Sequence, residues 1–317
     1  MKGRMGVIIY TLLCILKCTD RYIDNSDMEL FLKKEGYTLF HPIVSPDGQS
    51  VYYLAYPMDS RDYNGEGYYL WLKMVGELWK IEIESRKNRK LTESYFAGMA
   101  ISPDGTKLAL ITSTPVEDEE DTLYYSSGYP WGRIVISDTA GIIIDTLPTS
   151  SFTIYDVEFS KDGEYLYFVT KGPLYGDTVP HGFYRIRTDG SGEELIKELG
   201  IWEGENFFTL DDKDSIYEAH KVWSPQFHPE KKELVIDDCV INNYSFGFVI
   251  RNISTKESYI LWADPYVGAS IAYPYWFPNG DDIIYTEACS GGGEFSDGWY
   301  DGELWIYRNV FEHLIKE

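Results

Sequence analysis

The chain is short of cysteine, histidine and positive charge, and each shortage removes a class of function. Of its four cysteines, Cys14 and Cys18 lie near the amino terminus, leaving Cys239 and Cys289 for the body. No CxxC pair exists, so a cysteine zinc site is unsupported. The five histidines (His41, His181, His220, His228 and His313) form no i,i+4 pair and no HExxH, so zinc hydrolysis has no sequence basis either. Lys and Arg number 28 against 51 Asp and Glu, a formal net charge of −23. Phosphate backbones and anionic lipid surfaces are repelled by such a chain, which argues against nucleic acid as a partner. There is no GxSxG nucleophile motif. Ser-Gly-Gly-Gly at 290–293 has neither a following helix nor a Lys, so it does not read as a phosphate loop. Strands do not alternate with helical patterns, which argues against a parallel-sheet fold.

What is present points to β structure. Hydrophobic residues make up 44% and aromatics 16% of the 317 residues, with Tyr the commonest aromatic at 27. That is enough apolar material for a packed core. Tyr and Trp suit half-buried strands and wet binding faces, because each has an apolar body and a polar tip.

The first 18 residues, MKGRMGVIIYTLLCILKC, read as a targeting segment. Lys2 and Arg4 form a positive start, and the apolar run Val7 to Leu16 is roughly ten residues, too short for a membrane span. The segment resembles a bacterial lipoprotein signal with Cys18 as the lipidation candidate, although Lys17 stands where a small residue is usual. A cleaved export signal and an uncleaved anchor are the alternatives. Each places the body outside the cytoplasm, in the periplasm or anchored at the cell envelope. An exported body leaves a Cys239–Cys289 disulfide open, although their strand phases differ by one position.

Residues 101–105, Ile-Ser-Pro-Asp-Gly, recur with variation along the chain. Copies lie at Ser45-Pro46-Asp47-Gly48, Ser160-Lys161-Asp162-Gly163, His228-Pro229-Glu230-Lys231 and Phe277-Pro278-Asn279-Gly280. The fourth has lost its Asp-Gly pair. Pro sets the first corner of such a turn, Asp or Asn bonds its own backbone, and Gly accepts a positive φ. A β-rich run follows each copy (VYYLA, LALIT, YLYFVT, LVID, IIYTE), and then a second β pair begins with segments such as GELWKIEI and GELWIYRN. Each repeat is thus predicted to be four antiparallel strands. One such sheet cannot bury both faces alone, and radial stacking of copies solves this.

This pattern resembles the TolB-like, or PD40 (WD40-like), propeller repeat across about residues 41–308. The resemblance implies an all-β propeller of four-stranded antiparallel blades. Spacing predicts five blades, with six as the alternative; the family commonly has six or more. The expected organisation is a signal segment at 1–18, a linker and possible ring-closing strand at 19–40, and the propeller at 41–317. MELFLKKEGYTLF or the carboxyl-terminal VFEHLIKE could supply the last outer strand, or the latter could form a short helix.

The longest insertions, including 57–75, 113–131 and 201–221, fall on one side of such a ring, where binding usually resides. Trp131, Trp202 and Trp299 lie there. The position four before each Ser-equivalent is expected to start the inner strand at the channel mouth: His41, Gly98, Asp156, Ser224 and Tyr273. His, Asp and Ser on non-adjacent blades cannot make the successive short hydrogen bonds of a triad. The ligand-binding candidates are therefore His41, Asp156, Ser224, Tyr273, Trp131, Trp202 and Trp299. His228, at a turn position, is expected to be exposed. The partial calcium-loop pattern at Asp62–Gly67 lacks its final acid, since Lys73 stands there. The acidic runs at Glu117–Asp121 and Asp211–Asp214 read as solvated loops.

The sequence reading is a non-catalytic, monomeric, exported propeller that needs no metal or cofactor. It binds a protein, peptide or glycan, or scaffolds an envelope assembly. The alternative is a glycan-active hydrolase or lyase using carboxylates at the channel mouth, drawn from Asp156, Glu158 and loop acids.

Overall fold

The computed structural model describes residues 27–57, 76–112, 132–170, 178–198, 206–210, 216–219, 226–231, 233–242, 245–261, 270–290 and 299–316. Its strands are β1 (Met28–Leu32), β2 (Tyr37–Val44), β3 (Ser50–Pro57), β4 (Gly76–Glu82), β5 (Asn88–Ile101), β6 (Lys107–Thr112), β7 (Ile134–Asp138), β8 (Ile143–Thr146), β9 (Ile154–Phe159), β10 (Tyr165–Thr170), β11 (Gly182–Arg187), β12 (Glu194–Glu198), β13 (Asn206–Leu210), β14 (Ile216–Ala219), β15 (Gln226–Phe227), β16 (Leu234–Asn242), β17 (Ser245–Asn252), β18 (Ser258–Leu261), β19 (Ser270–Trp276), β20 (Ile283–Ser290), β21 (Trp299–Tyr307) and β22 (Ile315–Lys316). Cys239 falls on β16 and Cys289 on β20.

The repeat turn folds as its residues dictate. Ser45 Oγ donates to Asp47 Oδ1 at 2.6 Å and accepts the Ser50 N–H at 2.9 Å. Gly48 sits at φ 69° and its N–H bonds the Ser45 carbonyl at 2.8 Å. The same set recurs at Ser102, Asp104 and Gly105, and at Ser160, Asp162 and Gly163. The hydroxyl satisfies a backbone donor that the tight turn would otherwise leave unpaired.

His228 takes the serine's place in the fourth copy, and here the expectation of exposure is wrong. The residue is buried, at 3% exposure. Its Nδ1 accepts the N–H groups of Glu230 and Lys231 at 3.0 and 2.9 Å. The proton therefore belongs on Nε2, which lies 2.9 Å from the Gly280 carbonyl of the next copy and donates to it. Desolvation, ahead of smaller electrostatic effects, holds the imidazole below its ordinary range. The ring does the serine's job and reaches across to a neighbour as well.

The strands assemble into repeating antiparallel units. β2 to β5 form the first and β5 to β8 the second, joined in one seven-stranded sheet. The first half of β5 pairs with β4 and its second half with β6. β9 to β12 form the third unit, and β15 to β18 the fourth. β19, β20 and β21 form the fifth, with β1 as its outer member. β13 and β14 make a separate hairpin.

Among the described residues, apolar layers lie between four neighbouring pairs of units. Phe40, Leu54 and Leu78 meet Met99, Leu108 and Leu110 between the first and second. Ile111 and Ile136 meet Val157 and Phe168 between the second and third. Ile236 and Phe248 meet Ile283 and Tyr285 between the fourth and fifth. Leu39, Val51 and Tyr53 meet Ile284, Leu304 and Ile306 between the first and fifth. Each of these side chains, fully buried, stabilises the fold by about 1.5–3 kcal/mol.

The turns touch in the same cyclic order. A Cβ on Gly105 would lie 3.3 Å from Pro46, one on Gly163 3.6 Å from Pro103, and one on Gly48 3.8 Å from Pro278. The last contact joins the first unit to the fifth, so the chain closes on itself.

β1 completes the closure. Met28 pairs with Tyr307 and Leu30 with Trp305. Arg86, from the first unit, donates to the Phe31 carbonyl at 2.9 Å and pairs with Glu29 at 2.8 Å. A repeated Gly-Glu-Leu-Trp motif shows that β1 occupies an ordinary outer position. In the first unit Glu77 accepts from Trp79 Nε1 at 3.2 Å and from Lys90 Nζ, on the outer strand, at 3.1 Å. In the fifth, Glu303 accepts from Trp305 Nε1 at 3.1 Å and from Lys33 Nζ, just beyond β1, at 2.6 Å. The carboxyl-terminal segment makes a 3-10 turn at Val310–Glu312. It then adds β22 to the outer edge of the fourth unit, beside β18.

Candidate functional site

The inner strands of all the units surround one cavity of about 410 Å³. His41, Asp156, Tyr273, Glu158 and Tyr275 contribute to its wall, and Lys161 and His228 contribute from the turns. Three of the residues picked from register are thus brought together. Ser224, Trp131, Trp202 and Cys18 lie outside the described residues. Trp299 opens β21, paired with Ser290. Of the insertions that carry the loop-face reading, 58–75 and 113–131 lie outside the described residues, and 201–221 is described only at β13 and β14.

The register positions do not start their strands, as expected from sequence, but sit inside them at an irregularity. Pairing of β2 with β3 slips between Phe40 and Ile43. Pairing of β19 with β20 slips between Ala272 and Tyr275. At these slips His41 has φ 54° and Tyr273 φ 55°. Both precede proline (Pro42 and Pro274), where an extended backbone is the norm. β5 slips at Gly98, and β9 slips beside Asp156. A bulge re-aims the side chain it carries. Irregularities in β2, β9 and β19 thus accompany the three repeat positions that line the cavity, His41, Asp156 and Tyr273. Left-handed backbone at non-glycine residues is stored strain, of the kind that gathers at functional sites.

His41 and Tyr273 meet across the closure between the first and fifth units. Their rings stack at 4.9 Å with an interplanar angle of 17°. Gly98 lies beside this pair: a Cβ there would stand in ordinary contact with His41 Cε1, at 3.6 Å, and would press on Ile111 Cδ1 at 3.0 Å. Sequence reasoning set His41 against Asp and Ser and missed Tyr273 as its partner. The available signal was the shared X-Pro pair at His41-Pro42 and Tyr273-Pro274.

Enclosure sets the electrostatics. His41 is half-buried in the cavity wall. Desolvation lowers its pKa to about 4, so the ring is neutral at ordinary pH. Asp156 has the opposite response to the same cause. Desolvation raises its carboxyl to about 7, and the Val157 N–H at 2.9 Å offsets only part of this. Tyr275 is held above its usual range by burial and by the charge of Glu158. Among the described residues, neither the His41 ring nitrogens nor the second oxygen of Asp156 has a protein hydrogen-bond partner. Polar groups left with this capacity inside a protein favour a ligand that satisfies them. Among the described residues, no three His, Cys, Asp or Glu side chains are grouped to hold a metal ion.

No family model and no curated protein matches the chain. Solved structures do. Oligogalacturonate lyase from Vibrio parahaemolyticus superposes with TM-score 0.50 at 15% identity, over 89% of this chain and 80% of that one. The tricorn protease superposes with TM-score 0.54 at 13% identity, over 89% of this chain and 26% of that one. TolB from Acinetobacter baumannii gives TM-score 0.41 at 12% identity, over 86% and 54%. The fold is an all-β propeller. At these identities the likeness extends to fold alone. The cavity is then the propeller's central channel. No helix among the described residues is long and apolar enough to cross a membrane.

Proposed function

We propose that this is an exported five-bladed propeller that binds a peptide, protein or glycan at its channel mouth. Its repeat units act as the blades, and β1 closes the ring. One observation carries the reading: an imidazole and a carboxyl whose hydrogen-bonding capacity is unspent among the described residues share one cavity with a strained aromatic stack. A site held by bulges on rigid inner strands is preorganised, which lowers the ordering cost of binding. The insertions on the same side would extend the contact, through Trp131, Trp202 and Trp299. Export follows from the amino-terminal segment, with Cys18 as a membrane anchor point.

A second reading has its own support. A carboxyl with a pKa near 7, in the same cavity as a neutral imidazole, is poised for proton transfer at neutral pH. That suits glycan cleavage by elimination or hydrolysis, and one structural neighbour is named an oligogalacturonate lyase.

One experiment separates the two. The full chain is titrated calorimetrically with panels of short peptides and oligosaccharides, and each is also assayed for turnover. Binding without turnover, weakened at least tenfold by Tyr273→Ala and by Asp156→Asn, supports the binding module. Glycan turnover abolished by Asp156→Asn replaces it with the enzyme. Binding that none of these variants changes removes the channel mouth from both readings.

A further inference from the structure

We propose that the channel mouth selects a protonated primary amine, seated with its N–H donors on Asp156 and His41 and its alkyl stem along Tyr273. This deepens the channel-mouth reading and rests on it. An ammonium group offers three donors and no acceptor. The mouth offers the complement. The Asp156 carboxylate accepts, and among the described residues it is bonded by one backbone N–H, that of Val157. The imidazole of His41, neutral at pH 7, presents an acceptor nitrogen and no competing charge. The stacked ring pair supplies a π face, which attracts cations.

Charge supports the same choice. The chain carries −23, so an anionic ligand meets a repulsive field before it arrives. The charged and titratable groups that line the cavity with Asp156 are Glu158 on its own strand, Lys161 in the turn that follows, His41 on β2, Tyr273 and Tyr275 on β19, and His228 in the fourth repeat turn. Lys161 is the one cation among them. It belongs to the repeat turn, at the opposite end of β9 from the bulge. The cavity, about 410 Å³, admits a lysine side chain or a peptide amino terminus and is too small for a folded domain.

Protons are coupled to such binding. The empty site holds a proton on Asp156 below about pH 7, and the cation must displace it. Affinity should therefore be on the order of 30-fold weaker at pH 5.5 than the plateau reached above neutrality. The proton leaves to solvent as the ammonium enters.

The test uses the full chain and three probes in calorimetry at pH 8 and pH 5.5. The first is Ala-Ala-Tyr amide with a free amino terminus. The second is the same peptide acetylated. The third is the acetylated peptide extended by one lysine. The expected result is that at least one amine-bearing probe binds tenfold or more tightly than the acetylated peptide. That advantage should shrink at pH 5.5 and vanish in Asp156→Asn. Whether the first or third probe binds identifies the source of the amine. The acetylation comparison uses unaltered protein, so it stands even if the variant fails to fold. Equal binding of acetylated and free peptides overturns the amine inference. Neutral oligosaccharides that bind through Tyr273 and Asp156 while all three peptides fail also overturn it, and leave the channel-mouth reading in place. If no ligand of any class responds to changes at Tyr273 or Asp156, both fall.

Discussion

Asp156 shows how far one side chain can depart from its ordinary chemistry. The folded chain holds its proton up to about pH 7, whereas an unfolded chain releases it near pH 4. Between those values the folded state binds more protons, so stability falls as pH rises, and above pH 7 the loss is complete. Lumen water screens part of the charge, leaving a penalty on the order of 1–2 kcal/mol. Asp156→Asn, which removes the charge and keeps the shape, should therefore melt higher than the parent at pH 8, by roughly 2–5 °C. At pH 4 the two should melt together. Calorimetric scans at both values check this, and an equal or lower melting temperature at pH 8 refutes it. A site residue that weakens its own fold is the expected mark of selection for binding over stability. The position of Asp156 was legible from repeat register. Its pKa was not, because enclosure depends on residues far away in the chain. His228 repeats the lesson: its turn position was legible, but its bond to Gly280 joins residues of two different copies.

At the scale of the element, β1 is the informative strand. It is short and amino-terminal, and β21 comes near the other end of the chain. Phe31 faces the layer between the first and fifth units, at 5% exposure. Leu30, its neighbour, faces outward at 43%. The two residues alternate across the strand as the pleat requires. Phe31→Ala should destabilise by about 3–5 kcal/mol, the range for emptying an aromatic core site. Leu30→Ala should change stability by less than about 0.5 kcal/mol. Denaturant titration of both variants checks the contrast, and a similar effect from both would mean that β1 does not hold the ring shut. The sequence offered β1 and the carboxyl-terminal segment for this place without choosing between them. The choice lies in partners such as Lys33 with Glu303, 270 residues apart. β5 is a complementary case: one continuous strand serves two units, its first half pairing with β4 and its second half with β6.

Over the whole molecule, charge and closure act together. A net charge of −23 on one closed body repels itself at low ionic strength. Ion pairs such as Arg308 with Glu29, 3.2 Å apart, are partly exposed and add little each. Self-repulsion should therefore dominate the salt response. The melting temperature should rise between about 10 mM and 150 mM sodium chloride, because the screening length falls from about 30 Å to about 8 Å. A falling melting temperature would show that local pairs outweigh the net field.

The sequence alone determined the repeat, its turns and the all-β class. These rest on residues adjacent in the chain: a proline corner, an Asx bond, a positive φ and alternating apolar positions. Tertiary structure alone decided which strand shuts the ring, which ring stacks on His41 and how strongly Asp156 holds its proton. Those depend on distances between distant segments and on the exclusion of water, and neither exists until the units close around the channel.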